Sequence, residues 1–219
     1  KDSDLEKILS KVRRTMCNHI ADKRNSMSMN SEFLEFFIAL GEQCYLNEYV
    51  YSLNKQESIS LNLIIKNSRN HELNEMNISI ISCYIPLYKL LDKIPSLKSF
   101  TSSNKNIQEL IKLQILEPLE EIKLSKHIIN IGSIDDKISK VVKSQYEQNP
   151  YPRWRYGNPF KEQKFTIVQA INNEINPNFI NIDEGCQRLK LLVAGCGTGN
   201  QILQTQRYAN ADITGIDLS

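Results

Sequence analysis

The sequence of 219 residues contains no apolar run close to the roughly 20 residues that a membrane-spanning helix requires. Its first residues are charged and lack the apolar core of a secretory signal peptide. The formal net charge is only +2, so charge gives no reason to expect a nucleic acid or an anionic membrane as a partner. The five cysteines form no CxxC pair, which argues against a zinc site or a disulfide framework. These absences favour a cytoplasmic protein.

Residues 1–143 are expected to form an α-helical N-terminal domain, because their apolar residues recur at helical spacing. Ser3 or Asp4 is suited to cap the first helix. The second is predicted from Asn30 or Ser31 to Val50 and is apolar on more than one face, which is typical of the buried central helix of a bundle. Further helices are predicted from about Gln56, over Asn77–Leu91 with a kink or break at Pro86, and over Asn106–Leu116 with a continuation after Pro118.

Residues 144–185 are predicted to be a connecting segment followed by one helix. Pro150, Pro152 and Pro159 exclude a regular helix around them and bias the preceding residues toward extended backbone. Aromatic side chains lie among these prolines, namely Tyr146, Tyr151, Trp154 and Tyr156. Two interpretations stay open for this part of the chain. It is either a linker whose aromatics pack on a core or a lid that closes over a ligand.

Residues 186–219 change to an α/β pattern. The apolar run Leu189–Ala194 is typical of a buried parallel strand, and Gly195–Gly199 follows it as a glycine-rich turn. A short helix over Asn200–Tyr208 and a second strand over Asp212–Ile216 complete one β-α-β unit. The sequence thus predicts a mainly α N-terminal domain followed by the start of an α/β domain of Rossmann-like type.

The glycine-rich turn is the strongest candidate for a binding site. Gly195, Gly197 and Gly199 allow the backbone to turn sharply and to approach a ligand where a side chain would block it. Asp217 lies at the end of the next strand, 18 positions after Gly199. A carboxylate at that place accepts hydrogen bonds from both hydroxyls of a ribose. Cys196, inside the turn, is a nucleophile or, on the plainer interpretation, a small side chain that fills space.

Two cofactor classes use this arrangement of strand, turn and helix. Dinucleotide-binding folds use G-x-G-x-x-G/A, in which the last small residue lets the helix pack closely on the strand. In this sequence that position holds Asn200, which disfavours a dinucleotide. Class I methyltransferases instead use a G-x-G-x-G turn after a strand, and their cofactor carries no phosphate.

The segments VAGCGTGN and GIDLS resemble the first two motifs of class I S-adenosyl-L-methionine-dependent methyltransferases. This resemblance implies that S-adenosyl-L-methionine is the cofactor, and that Gly195, Cys196, Gly197 and Gly199 approach it through the backbone. It also implies that Asp217 binds the ribose of that cofactor.

The segment Tyr146–Trp154 is similar to a QYEENPYPRW segment that precedes the methyltransferase domain in a group of bacterial proteins. The stretch Ala39–Tyr51 resembles a helical segment of the same group. Members of that group often carry tetratricopeptide repeats upstream, so such repeats are expected before Lys1 if this chain has them. If the segment is a lid, Tyr146, Tyr151 and Trp154 become further candidates for contact with the cofactor.

The family's later motifs are expected beyond Ser219, so the resemblance provides no catalytic residue and does not identify the methyl acceptor. We therefore expect the full-length protein to be a methyltransferase and the 219 residues alone to be inactive. The alternative is a helical protein-interaction domain with an incomplete, inactive methyltransferase-like C-terminus.

Overall fold

The computed structural model describes residues 3–22, 31–70, 73–155, 164–181 and 188–218. The chain is mainly helical and contains a small parallel sheet of two strands in this described part. It divides into two compact units, an N-terminal unit of Lys1–Ile131 and a C-terminal unit of Gly132–Ser219. None of the described helices is long and apolar enough to cross a bilayer. Tyr156 and Pro159, two residues of the predicted connecting segment, lie outside the described residues.

The N-terminal unit is built from helices, as the spacing of its apolar residues predicts. Their bounds are α1 Ser3–Ala21, α2 Ser31–Leu46, α3 Lys55–Asn70, α4 Glu75–Ser82, α5 Lys105–Ile111 and α6 Glu117–Ser125. Two short 3-10 helices, Leu87–Leu90 and Pro95–Lys98, follow α4. The break between α4 and the first of them lies at Pro86, where the sequence predicts a kink or a break.

Helix α2 is the buried central helix that its apolar pattern predicts. Its side chains Phe37, Ile38 and Leu40 are all buried in the core of the unit. Gly41 lies against α4 so closely that a Cβ atom there would collide with the hydroxyl of Ser82. The absence of a side chain at this position therefore sets how near the two helices can approach.

The end of α2 lies at Leu46, four residues before the predicted end at Val50. Glu48 and Tyr49 both adopt left-handed backbone conformations, with φ of 56° each, so the helix cannot continue through them. The backbone N–H of Tyr49 donates to the carbonyl oxygen of Cys44 at 2.8 Å and closes the end of the helix. The prediction of a helix up to Val50 was wrong because sequence periodicity does not detect this turn.

Helix α5 continues into α6 through a π-helical stretch, Lys112–Leu116, which lies directly before Pro118. Proline has no N–H to donate, and its ring meets the carbonyl of the residue four positions earlier, here Gln114. The wider π-helical turn accommodates both effects, so the helix continues past Pro118. The buried Gln114 amide donates to the carbonyl oxygens of Gly41 at 2.9 Å and Ser82 at 3.2 Å.

A buried ion pair joins α1 to α3. Arg13 and Glu57 have only 1% and 0% of their surface exposed, and Arg13 Nη2 lies 3.4 Å from Glu57 Oε1. The Tyr84 hydroxyl donates to the same carboxylate oxygen at 2.9 Å, and its ring stacks 4.3 Å from the Arg13 guanidinium. Burial raises the pKa of Tyr84, so its hydroxyl stays protonated as a donor. A buried charge requires a partner, and here the guanidinium and the carboxylate are partners of each other.

The C-terminal unit contains three helices and two strands in its described part. They are α7 Lys137–Gln148, α8 Ile167–Ile175, β1 Leu189–Ala194, α9 Asn200–Thr205 and β2 Ala211–Ile216. Asp136 caps α7, because its carboxylate accepts the backbone N–H of Ser139 at 2.7 Å, and this bond lowers the pKa of Asp136. Residues 144–148 belong to this helix, so the prediction that the connecting segment begins at Ser144 was wrong on this point.

Strands β1 and β2 run parallel, with Leu191 beside Ile213 and Val193 beside Gly215. Helix α9 covers this face of the sheet. A Cβ atom at Gly215 would lie only 2.5 Å from the Ile202 side chain. On the other face Leu192 is 63% exposed. The short sheet thus has one covered face and one open face in the described structure.

Candidate functional site

The glycine-rich turn between β1 and α9 depends on the backbone freedom of glycine. Gly195, Gly197 and Gly199 have φ angles of 69°, 49° and 92°, a region that other residues rarely adopt. A Cβ atom built on any of these three glycines would have no neighbour within 4 Å. The glycines are therefore needed for the path of the backbone rather than for close packing. Their backbone borders open space, where a ligand can approach.

Hydrogen bonds hold this turn against the end of β2. The backbone N–H groups of Gly195 and Cys196 both donate to the carbonyl oxygen of Ile216, at 2.8 and 3.1 Å. The N–H of Gly199 donates to the carbonyl oxygen of Cys196 at 2.9 Å. The two strand ends and the turn consequently form one hydrogen-bonded group.

Asp217 directly follows β2 and contacts the glycine-rich turn. Its Oδ2 accepts the backbone N–H of Gly197 at 2.7 Å, and its Oδ1 accepts the N–H of Leu218 at 2.8 Å. The residue is exposed. The geometry thus brings the predicted acidic residue and the predicted glycines together.

Cys196 is half-buried, and its side chain lies against β2. Its Sγ would be 3.2 Å from a Cβ atom at Gly215. This contact is the one expected of a small side chain that fills space under the turn. No group of three or more His, Cys, Asp or Glu side chains in the described ranges is arranged to hold a metal ion.

Of the three candidate aromatic residues, the structure brings Trp154 to the turn. Its indole Nε1–H donates to the Thr198 hydroxyl at 2.9 Å. Tyr146 lies in α7 with an exposed ring, and Tyr151 is exposed as well. Neither of their phenol groups has a hydrogen bond to the turn in the described part of the chain.

Sequence reasoning missed two contacts beside this site. Thr198, the partner of Trp154, is 44 positions away from it, and no local pattern signals such a pair. Phe165 donates its backbone N–H to the carbonyl oxygen of Arg207 at 2.8 Å and accepts the N–H of Ala209 at 2.7 Å. This pairing ties the start of the α8 segment to the loop between α9 and β2.

No family model, no curated protein and no solved structure matches this chain.

Proposed function

We propose that the C-terminal unit binds S-adenosyl-L-methionine and that the full-length protein is a methyltransferase. The observation that carries this proposal is the hydrogen bond from the Gly197 backbone to Asp217, 2.7 Å long. It joins a glycine-rich turn after one parallel strand to a carboxylate after the next. Such a pair recognises a nucleoside with a free ribose, through close backbone approach on one side and hydroxyl binding on the other.

The residues present fit a cofactor without phosphate groups. The three glycines leave open space beside the turn, and Asp217 places an exposed carboxylate next to it, the group that accepts hydrogen bonds from ribose hydroxyls in nucleoside-binding folds. Asn200 occupies the place where a dinucleotide fold needs glycine or alanine. A Rossmann-like sheet begins with the same strand, helix and strand, which is consistent with the parallel pair β1 and β2.

When bound, S-adenosyl-L-methionine supplies a methyl group made electrophilic by its sulfonium. The role of this chain would be to hold the cofactor by Gly195, Cys196, Gly197, Gly199 and Asp217, and to exclude water around it. Trp154, hydrogen-bonded to the turn, favours the interpretation of the connecting segment as a cover over the site.

A second candidate is a helical protein-interaction domain with an inactive C-terminal unit. It is favoured by the open face of the sheet, on which Leu192 is 63% exposed, and by the separate hydrophobic core of the N-terminal unit. Leu192 and Ile216 are exposed on this same face, and contiguous exposed apolar surface is typical of places where a partner binds.

Titration calorimetry on the full-length protein distinguishes the two candidates. We expect S-adenosylhomocysteine, the product form of the cofactor, to bind and NAD not to bind. Tight binding of NAD would contradict the choice of cofactor. If neither S-adenosylhomocysteine nor NAD binds, the methyltransferase proposal is contradicted and the interaction domain is favoured.

A further inference from the structure

Thr198 and Trp154 form a hydrogen bond between two exposed side chains that are 44 positions apart. Thr198 stands between Gly197 and Gly199 at the centre of the glycine-rich turn. The other side chain of the turn, Cys196, lies against β2. Thr198 therefore provides the exposed polar side chain of the turn.

The segment that carries Trp154 is stiffened by its own sequence. Pro150 and Pro152 fix two φ angles on either side of Tyr151, which reduces the number of conformations available to the segment. A stiff segment loses less conformational entropy when it is held in one place. A side-chain hydrogen bond from Trp154 therefore holds the indole in place at a smaller entropic cost than it would in a flexible segment.

We infer that Thr198 is a positioning residue of the proposed cofactor site, because its hydroxyl holds the Trp154 indole beside the glycine-rich turn. The indole, 47% exposed, then forms an apolar wall next to the open space beside the glycines. A wall of this kind excludes water from one side of a bound nucleoside and adds apolar contact area. The inference rests on the proposed function and adds a residue that the methyltransferase resemblance does not identify.

Four variants of the full-length protein test this pair. Thr198→Val removes the acceptor and keeps the shape, Trp154→Phe removes the N–H and keeps an aromatic ring, and the double variant removes both. A neutral hydrogen bond corresponds to about two- to tenfold in affinity, so each single variant should bind S-adenosylhomocysteine about that much more weakly. The double variant should be no weaker than the weaker single variant, because both changes break the same bond. Thr198→Ser keeps the hydroxyl and should restore the affinity.

A second measurement reports the bond without any ligand. Trp154 is the only tryptophan of the 219 residues, and its indole N–H is identified in the NMR spectrum as the signal that disappears in Trp154→Phe. That signal should shift in Thr198→Val and return in Thr198→Ser. The matched control Thr214→Val makes the same change at an exposed position of β2 on the open face, and it should move neither the signal nor the affinity.

The outcomes separate this inference from the proposed function. If the unmodified protein does not bind S-adenosylhomocysteine, the proposed function and the inference are both overturned. If it binds, but Thr198→Val binds equally well, or the effects of the two single changes add in the double variant, only the inference is overturned. Non-additive weakening together with recovery in Thr198→Ser supports it.

Discussion

The backbone N–H of Gly197 donates to the Asp217 carboxylate at 2.7 Å, across 20 positions of sequence. The Asp217 side chain therefore has two roles. Its hydrogen bond supports the left-handed backbone of Gly197, and its carboxylate places a negative charge beside the turn. The contribution that we propose for Asp217 in cofactor binding is therefore coupled to the shape of the turn.

Replacement of Asp217 separates these two tasks. Asp217→Asn keeps an oxygen that accepts the Gly197 N–H but removes the charge, whereas Asp217→Ala removes both. Hydrogen bonds to a charged group contribute about 1.5–3 kcal/mol each. We expect Asp217→Ala to weaken binding of S-adenosylhomocysteine by that amount or somewhat more, and Asp217→Asn to weaken it less. Titration calorimetry on the full-length protein measures both changes.

Asp212→Asn is the matched control, since it makes the same chemical change within β2. Asp212 forms an ion pair with Arg188, at 2.9 Å, and both side chains are about half exposed or more. Loss of an exposed ion pair costs about 0–1 kcal/mol of stability, and Asp212 lies within β2 on the open face rather than beside the turn, so affinity for S-adenosylhomocysteine should hardly change. An equal loss in Asp212→Asn, or no loss in Asp217→Ala, would show that Asp217 is not the ribose ligand.

Gly199→Ala tests whether the path of the turn matters for binding. Alanine at a φ of 92° is strained, and left-handed backbone costs an L residue about 1–2 kcal/mol. The turn should shift to relieve this strain and the affinity for S-adenosylhomocysteine should fall. Gly132→Ala is the control, because Gly132 has a φ of 79°, also with no neighbour near a Cβ atom, but lies far from the turn in sequence. Equal affinities in the two variants would contradict a role for the turn.

Local patterns were enough to predict the elements around the turn. The bounds predicted for β1, Leu189–Ala194, are those of the structure, because the run has the length of a strand and a glycine-rich turn marks its end. Helix α7 was not predicted through Tyr146, since the prolines further on suggested an earlier change to extended backbone. Pro150 disfavours helical backbone only for the residue directly before it, Asn149, so the helix continues to Gln148.

Contacts between residues far apart in the sequence could not be predicted from local patterns. The pairs Arg13–Glu57 and Trp154–Thr198 each span 44 positions, and both depend on how separate elements pack. Arginine and glutamate in a helix normally indicate a solvated face, so no sequence pattern indicated that both would be buried. The glycines and Asp217 were predictable as candidates because each is placed by its own strand end.

Trp154 should report occupation of the site by a change in fluorescence. Its indole is hydrogen-bonded to the turn and about half exposed. A ligand beside the turn therefore alters the polarity of the indole's surroundings and its contact with solvent. We expect the emission of the full-length protein to change with S-adenosylhomocysteine and not with NAD. Trp154→Phe is the control, because it removes the only tryptophan of the 219 residues, and the change in emission on ligand binding should disappear in it. An unchanged spectrum at saturation would favour the linker interpretation.

The buried ion pair predicts a large loss of stability when Glu57 is removed. Glu57→Ala leaves the Arg13 guanidinium buried without its carboxylate, and loss of one partner of a buried pair costs about 3–5 kcal/mol. Urea denaturation followed by circular dichroism should show this decrease in the free energy of unfolding. Glu120→Ala removes an exposed partner of Lys123 and should cost less than about 1 kcal/mol. Similar losses in both variants would mean that the buried ion pair contributes no more to the free energy of unfolding than an exposed one.

Cys17 predicts a loss of stability at alkaline pH. Burial raises the pKa of its thiol from an ordinary value of 9.0 to about 11 in the folded protein. Above pH 9 the unfolded chain loses the thiol proton while the folded chain keeps it. The stabilisation is therefore complete below pH 9 and is lost as the pH rises toward 11. The slope is about 1.4 kcal/mol per pH unit in the free energy of unfolding.

Cys17→Ser and Cys17→Ala isolate this effect, because neither side chain titrates in that range. Other buried groups with raised pKa values, such as Cys83 and Tyr84, are present in all three proteins and cancel in the comparison. Both variants should start less stable at neutral pH, since each disturbs a buried position, but their free energy of unfolding should fall less steeply from pH 9 to 11. Urea denaturation at several pH values measures the slopes. Parallel slopes in the unmodified protein and both variants would show that the thiol stays accessible to water and that its burial has no effect on the proton.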